Sequence, residues 1–530
     1  MTKQSPPNPP ENHDPDLDCK PGEVCAVPSV TLGTTAVAAV DDKGTFRKGR
    51  LAGLNMNQAI WVLAWPVVTE SFLNSFVGLV DTALSAGLPA GEAATDAIGG
   101  GSYIMWLIGL VIMALGVGAT ALISRSVGKG RLGVANQILG QTMSLAVILG
   151  TLVGFGIWLI VPWIASALRM SPEASTFFKS YMTIIAMGVP AASVLFAMIA
   201  CSRGAGDSIS PLKAMIARNV VNIVVSWGLS GITIYGLTSP LQLNMGIEGI
   251  ALGTVAGDLV GALYITHMAR SGRWSIRLKA IRLRLHKLTV WRLYRLGIPN
   301  FFETFGLWLG NFAIILFVGF LGQQLGRDGL LGAHIIGIRV EAFSFMPGFG
   351  MGIAAATLAG QYLGMNRPDL AKRAVFRCTL IASVIMGIIG LVLIIFPHEI
   401  VRALSQQPTH AEIVPKLLII CGIVQVPFAI SIVFRSAMRG AGDVKVVMAL
   451  TWTATYAIRL PIVYLLSGVD IPVPEFFGGG TIENPQLLDS VFGIEPGLTA
   501  LWIGLCSEMV LRAFLFAGRF FQGGWLKAKV

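Results

Sequence analysis

The pentapeptide Arg-Gly-Ala-Gly-Asp is written twice in this chain: in "CSRGAGD" at Cys201–Asp207 and in "MRGAGD" at Met438–Asp443, 236 positions apart. Each copy closes a long apolar run. A charged, glycine-rich phrase in that place reads as a helix end. The glycines stop the helix and turn the chain, and the arginine marks the cytoplasmic face of a membrane. The phrase is therefore read mainly as structural punctuation.

The sequence around the two copies also repeats. "LAWPVVTESFLNSFVG" from Leu63 matches "LGIPNFFETFGLWLGN" from Leu296, with Pro66 on Pro299 and Glu70 on Glu303 at an offset of 233. "SRSVGKG" ending at Gly130 matches "GQYLGMN" ending at Asn366, at an offset of 236. "GIEGIALGTVAGD" places Asp258 against Glu508 of "PGLTALWIGLCSE" at an offset near 250, the extra length being an outer loop before the last span. Landmarks that keep their order and nearly their spacing describe a duplicated unit.

Composition says what the unit is. The chain of 530 residues is 54% hydrophobic and 13% charged, about half the charge of an ordinary soluble protein, and its mean hydropathy is +0.71. Leu132–Leu168, Asn219–Ile247, Thr304–Gly326 and Ala342–Asn366 carry no charged residue. A bilayer-spanning helix needs about 20 mostly apolar residues. Twelve spans are expected, at 57–86, 97–125, 133–163, 176–202, 212–237, 247–269, 291–322, 330–362, 372–397, 412–438, 446–467 and 498–522. The fold class is thus an all-α polytopic membrane protein of twelve transmembrane helices, in two pseudo-symmetric six-helix lobes. With six spans per unit the copies share one orientation, a recurring transporter plan. The 62 glycines suit close helix packing in lipid.

The organisation expected is a disordered cytoplasmic tail over 1–50, an N-terminal lobe over 51–270, a basic linker over 271–290 and a C-terminal lobe over 291–525. The tail is proline-rich and polar, without the apolar core of a signal peptide. Arg125, Lys129, Arg131, Arg203, Lys213, Arg367, Lys372, Arg439 and Lys445 all fall on one set of loops. The opposite loop Gly468–Pro496 holds Asp470, Glu475, Glu483, Asp489 and Glu495 and no Lys or Arg. Both termini are therefore expected in the cytoplasm, with the protein in the plasma (inner) membrane. The net charge of +11 is then topology rather than a nucleic-acid surface. The linker region Arg270–Arg295 holds nine Lys or Arg and no acid. As a helix it puts Trp274, Leu278, Ile281, Leu285 and Leu288 on one face, which suits anionic lipid; the other readings are a solvated basic linker or a strand-like Ile281–Leu285. The six cysteines are scattered and form no metal or disulfide framework.

"LAWPVVTESFLNSFVGLVDTALSAG", "RGAGDSISPLKAMIARNVVNIVVSWGL", "FSFMPGFGMGIAAATLAGQYLG" and the second "SAMRGAGD" make residues 55–525 resemble the multidrug and toxic compound extrusion (MATE) transporters. The resemblance implies a central cavity facing each side in turn. It also implies export of organic, often cationic, small molecules in exchange for H⁺ or Na⁺, with no other cofactor and no metal. A monomer is expected.

Ionisable residues inside a span cost about 2.5–3.5 kcal/mol each and mark functional sites. The candidates are Glu70, Asp81, Asp258, Glu303, Glu341 and Glu508. Glu70 and Asp81 are eleven residues apart, on one face of one helix, and Pro66 and Pro299 are candidate bends. A neutral carboxyl tolerates an apolar cavity better than a carboxylate, so protonation would favour one packing and cationic cargo the other. The resemblance points to Asp81 as the cation-coupling residue; the plainer reading is an Asp hydrogen-bonded to polar neighbours, with Asn219 and Asn222 as partners. In the second lobe the matching position is near Ile314. There the resemblance points to carboxylates in some relatives, one on the seventh helix, where Glu303 lies. Glu303 and Glu508 have the alternative of pairing with Arg339, Arg459 or Arg512, and Glu341 is read as structural. Phe343, Phe345, Met346 and Phe349 either line a drug cavity or simply pack.

Two rivals follow. A lipid-linked oligosaccharide flippase of the same superfamily would want a basic cavity, whereas the first lobe's acids favour cationic cargo. An integral-membrane lipid enzyme would want a nucleophile or metal cluster, and His267, His286, His334, His398 and His410 are dispersed.

Overall fold

A computed structural model of the chain describes residues 40–41, 44–47, 49–167, 170–233, 239, 243–405, 407–472, 479–485 and 496–528. The expected tail lies almost wholly outside them, as does most of the acidic outer loop. Lobe 1 consists of α1 (Met56–Ala86), α2 (Gly91–Gly128), α3 (Leu132–Ala167), α4 (Pro172–Gly204), α5 (Ile209–Ser230) and α6 (Gly246–Ser271). Lobe 2 consists of α7 (Lys287–Gln324), α8 (Leu330–Gly364), α9 (Pro368–Ile395), a short α10 (Pro397–Leu404), α11 (Pro408–Ile423), α12 (Gln425–Ala441), α13 (Val444–Ser467) and α14 (Leu498–Gln522).

Nine of these helices are long and apolar enough to cross a bilayer, and the bent pair α11–α12 makes a tenth span. The 31-residue α1 and the 22-residue α5, which carries Lys213, Arg218, Asn219 and Asn222, complete the twelve. Local signals set the boundaries. Asn55 caps α1 with Gln58 in a reciprocal pair of hydrogen bonds. Gly231 ends α5 in the left-handed region, at φ +80°, so the fifth span stops at Ser230 rather than 237. The tenth span is not one straight helix: α11 and α12 meet at 56° around Val424. The eleventh carries a π-helical stretch, Thr453–Arg459, a form often found at functional sites.

The basic linker is not the amphipathic helix that its apolar residues suggest. Between 272 and 286 the chain forms a 3₁₀ turn, Ala280–Leu283, and is otherwise irregular. Trp274, Ile276 and Leu278, spaced by two, are buried in the core of lobe 1, while Leu285 and Leu288 are exposed. Backbone and side-chain bonds strap it down. Arg277 N–H donates to Asn136 Oδ1 at 2.7 Å, and Ser144 Oγ donates to the Leu283 carbonyl at 2.7 Å. Period two wins because the segment lies in a groove rather than on a surface.

The lobes exchange apolar residues at one end. Met56, Ile60 and Leu63 at the start of α1 are buried with Met351, Leu358 and Tyr362 of α8. Leu293 and Leu296 near the start of α7 are buried with Leu115 and Ala119 of α2. This is the end at which both RGAGD turns lie.

Candidate functional site

The two RGAGD turns use their first four residues alike. Arg203 donates to Glu70 Oε2 at 2.6 Å, and Arg439 holds Glu303 with two bonds of 3.0 and 2.6 Å. A Cβ on Gly204 would crowd the Thr120 carbonyl of α2, and one on Gly440 would crowd the Ala356 carbonyl of α8, positions again 236 apart. Ala205 and Ala441 are buried. Gly206 and Gly442 turn the chain at φ +93° and +94°, a region costly to residues with a Cβ. Only the aspartates differ. Asp207 accepts from Ile209 N–H and Ser210 Oγ at the head of α5, whereas Asp443 pairs with Arg519 of α14 at 2.8 Å.

Deeper in lobe 1 lies a buried polar cluster built by α1, α5 and α6. Asp81, 4% exposed, accepts from Thr254 Oγ1 at 3.0 Å and from Asn222 Nδ2 at 3.4 Å. Thr254 is also in hydrogen-bond reach of Asn222, at 3.0 Å. Asp258 is ion-paired to Arg218, which also reaches Asn74 Oδ1 at 3.4 Å. Asn219 Nδ2 donates to the Leu73 carbonyl at 2.7 Å. The side-chain oxygens of Asn219 and Asn222 are buried without a partner among the described residues.

Lobe 2 carries an ion-pair network. Glu508, fully buried, accepts from Arg459 at 3.1 Å and from Arg512 at 2.6 Å. Arg459 also donates to Asn311 Oδ1 at 2.6 Å, and the π-helical stretch ends on it. Glu303 adds Thr451 Oγ1 at 3.0 Å and has Arg435 3.9 Å away. Glu341 makes no carboxylate hydrogen bond or ion pair among the described residues; Arg459, Arg512 and Glu508 are its electrostatic neighbours. Arg339 is exposed and, among the described residues, takes no part in the network.

The structure thus sorts the six candidate acids. Glu70, Asp258, Glu303 and Glu508 are held by arginine. Asp81 and Glu341 are not. Glu70 lies on the helix of Asp81 but belongs to the RGAGD turn, so the two acids do not form one site. Pro66 and Pro299 both lie inside helices, one turn before Glu70 and Glu303.

Of the expected cavity residues, Phe343 is exposed and stacks on Phe72 of lobe 1 with centroids 6.2 Å apart. Phe345 packs edge-on to Phe428 inside lobe 2, while Met346 and Phe349 are half-buried. Arg218, Thr254 and Arg435 were not anticipated. The signal for Arg218 was available: an arginine inside an apolar run requires an acid on a neighbouring helix. An aromatic ladder on α7, Phe301, Phe305, Trp308 and Phe312, meets Trp106 of α2 at 6.0 Å. Its i, i+4, i+7, i+11 spacing is readable in the sequence.

Comparison with known proteins converges on one family. The MatE family model matches twice, over residues 66–227 and 299–465, so the second match starts 233 positions after the first. A probable multidrug resistance protein NorM of Thermotoga maritima is 26% identical, over 88% of this chain and 93% of its own. The multidrug resistance protein PmpM of Pseudomonas aeruginosa is 23% identical, over 86% and 91%. The Vibrio cholerae MATE transporter VcmN in its bent form superimposes with a TM-score of 0.76 at 16% identity, covering 89% of this chain and 97% of that one.

Proposed function

The chain belongs to the MatE family and is an integral membrane protein, and from that premise we propose that it exports organic cations in exchange for H⁺ or Na⁺ by alternating access. The observation that carries the reading is Asp81. It is a buried carboxylate that no cation touches among the described residues, beside an Arg218–Asp258 pair already neutral in itself. The cluster is one positive charge short. A proton on Asp81, or a small cation held by Asp81 with the unpartnered oxygen of Asn222, supplies that charge. Loss of the charge leaves a buried anion, which is relieved by repacking of the lobe or by arrival of a cationic drug. The relatives named as multidrug resistance proteins support drug-like cargo.

In this reading the protein lies in the plasma (inner) membrane with both termini in the cytoplasm, divided at residues 270 and 291 into lobes that work as a monomer. The exposed Arg273, Arg277, Arg284 and Lys287 meet anionic headgroups. Dye efflux from vesicles, with a proton or a sodium gradient imposed separately, tests the proposal. Efflux driven by one gradient and lost in Asp81→Asn supports it; transport of anionic lipid-linked cargo instead moves the reading to a flippase.

A further inference from the structure

At the RGAGD end, the hydrogen bonds between the lobes are arranged reciprocally. Gln361 of α8 donates Nε2–H to the Gly204 carbonyl at 3.3 Å, and Thr357 donates to the Arg203 carbonyl at 3.2 Å. Both acceptors belong to the RGAGD turn of lobe 1. In the other direction, Arg125 of α2 donates to the Ala441 carbonyl at 3.3 Å, in the RGAGD turn of lobe 2, and to the Ala528 carbonyl at 2.6 Å. Arg125 and Gln361 are 236 positions apart, the same offset as the two turns.

The glycines beside them obey the same symmetry. A Cβ on Gly128 would overlap the Gln361 carbonyl, and a Cβ on Gly364 would overlap the Arg125 carbonyl. These glycines too are 236 apart, so α2 and α8 cross on a pair of matched close approaches. Gln361 is 3% exposed, so while this end is closed its donor has no water to turn to and the bond is costly to lose.

We propose that the duplicated RGAGD turns are the acceptor halves of a reciprocal latch between the lobes. Arg125 and Gln361 are its donors, and the latch sets how readily this end opens. This rests on the alternating-access reading above. Each turn then does two things. Its arginine side chain fastens the first helix of its own lobe through Glu70 or Glu303, and its carbonyls fasten the opposite lobe. Duplication preserved the phrase because both halves of a two-fold contact need it. Arg125, Thr357 and Gln361 are positioning residues in this scheme; they act on the lobes and not on cargo.

The test reads the opening directly. Nitroxide labels are placed on Lys213→Cys and Lys445→Cys, both exposed at this end, in a full-length chain with Cys19 and Cys25 replaced by serine. Electron–electron distance measurement on the parent is expected to give mainly one short separation. The Arg125→Ala/Gln361→Ala double variant is expected to add a longer population, increased about tenfold, and Arg125→Gln, which keeps a donor, is expected to match the parent. An unchanged distribution in the double variant overturns the latch. Should that variant fail to fold, Thr357→Val with Gln361→Ala removes only the donors to the first turn and reads the same distances. A parent that exports no dye defeats the transport reading, while the distances still decide the latch.

Discussion

The two lobes share a chain path but differ in how their buried charges balance. In the inner cluster of lobe 1, two carboxylates, Asp81 and Asp258, face one guanidinium, Arg218. In the inner cluster of lobe 2, two carboxylates, Glu341 and Glu508, face two, Arg459 and Arg512. Where lobe 1 has Asp81, lobe 2 has the buried Ile314. The duplicated scaffold thus carries a cluster lacking one positive charge on one side and, with Arg435 also beside Arg512 and Glu508, a cluster without that deficit on the other. A buried ion pair that is complete resists change, because removing either partner strands the other. An incomplete one can gain and lose a cation. Under the proposed function, the moving charge belongs to lobe 1 and lobe 2 serves as the rigid frame.

The largest expected effect breaks that contrast at its centre. Asp81→Asn fills the charge deficit permanently. Coupled efflux is expected to fall at least 100-fold, while the melting temperature in detergent stays within a few degrees of the parent, since the amide can still accept from Thr254. Glu341→Gln, the other unpaired acid, is expected to cost less than tenfold. Equal losses in the two variants would erase the distinction between the lobes.

Stability comes next. Glu508→Gln leaves Arg459 and Arg512 without their shared carboxylate, whereas Asp258→Asn strands only Arg218. Breaking a buried pair costs about 3–5 kcal/mol, so both variants should lower the melting temperature, Glu508→Gln the more. The same logic ranks the RGAGD anchors. Glu303 accepts three bonds and is fully buried, while Glu70 accepts one from a partly exposed Arg203. Glu303→Gln is therefore expected to destabilise by about 2 kcal/mol more than Glu70→Gln, at the scale of one to two charge-assisted hydrogen bonds. Thermal unfolding of the two purified variants measures this.

Much of this was legible in the sequence, for reasons that differ by residue. The twelve spans follow from uncharged runs, and the duplication from Pro66 with Pro299 and the two RGAGD copies. The acids themselves stand out because charge is rare in an apolar run. Which arginine each acid takes was not legible, because pairing depends on helix rotation and on which helices are neighbours. Glu70 shares a helix face with Asp81, yet a partner on α4 claims it. Arg339 looked equivalent to Arg459 and Arg512, but it is exposed on α8. The linker failed for another reason: its periodicity admits both helix and strand, and only the groove on lobe 1 that receives Trp274, Ile276 and Leu278 decides between them.

The smallest expected effect separates the two candidate coupling ions. Thr254 donates to Asp81 at 3.0 Å, the shorter of its two hydrogen bonds. Thr254→Val keeps the volume and removes the hydroxyl. If the ion is Na⁺, that oxygen is a ligand or fixes one, and the sodium concentration for half-maximal efflux should rise several-fold. If the ion is H⁺, the hydroxyl serves only to steady the charged carboxylate. Its loss should then leave efflux driven by a proton gradient within a few-fold of the parent, with sodium still without effect. A variant indifferent to both gradients would mean that Thr254 orients Asp81 without sensing its charge, and the deficit in lobe 1 would then have to be read through Asn222 alone.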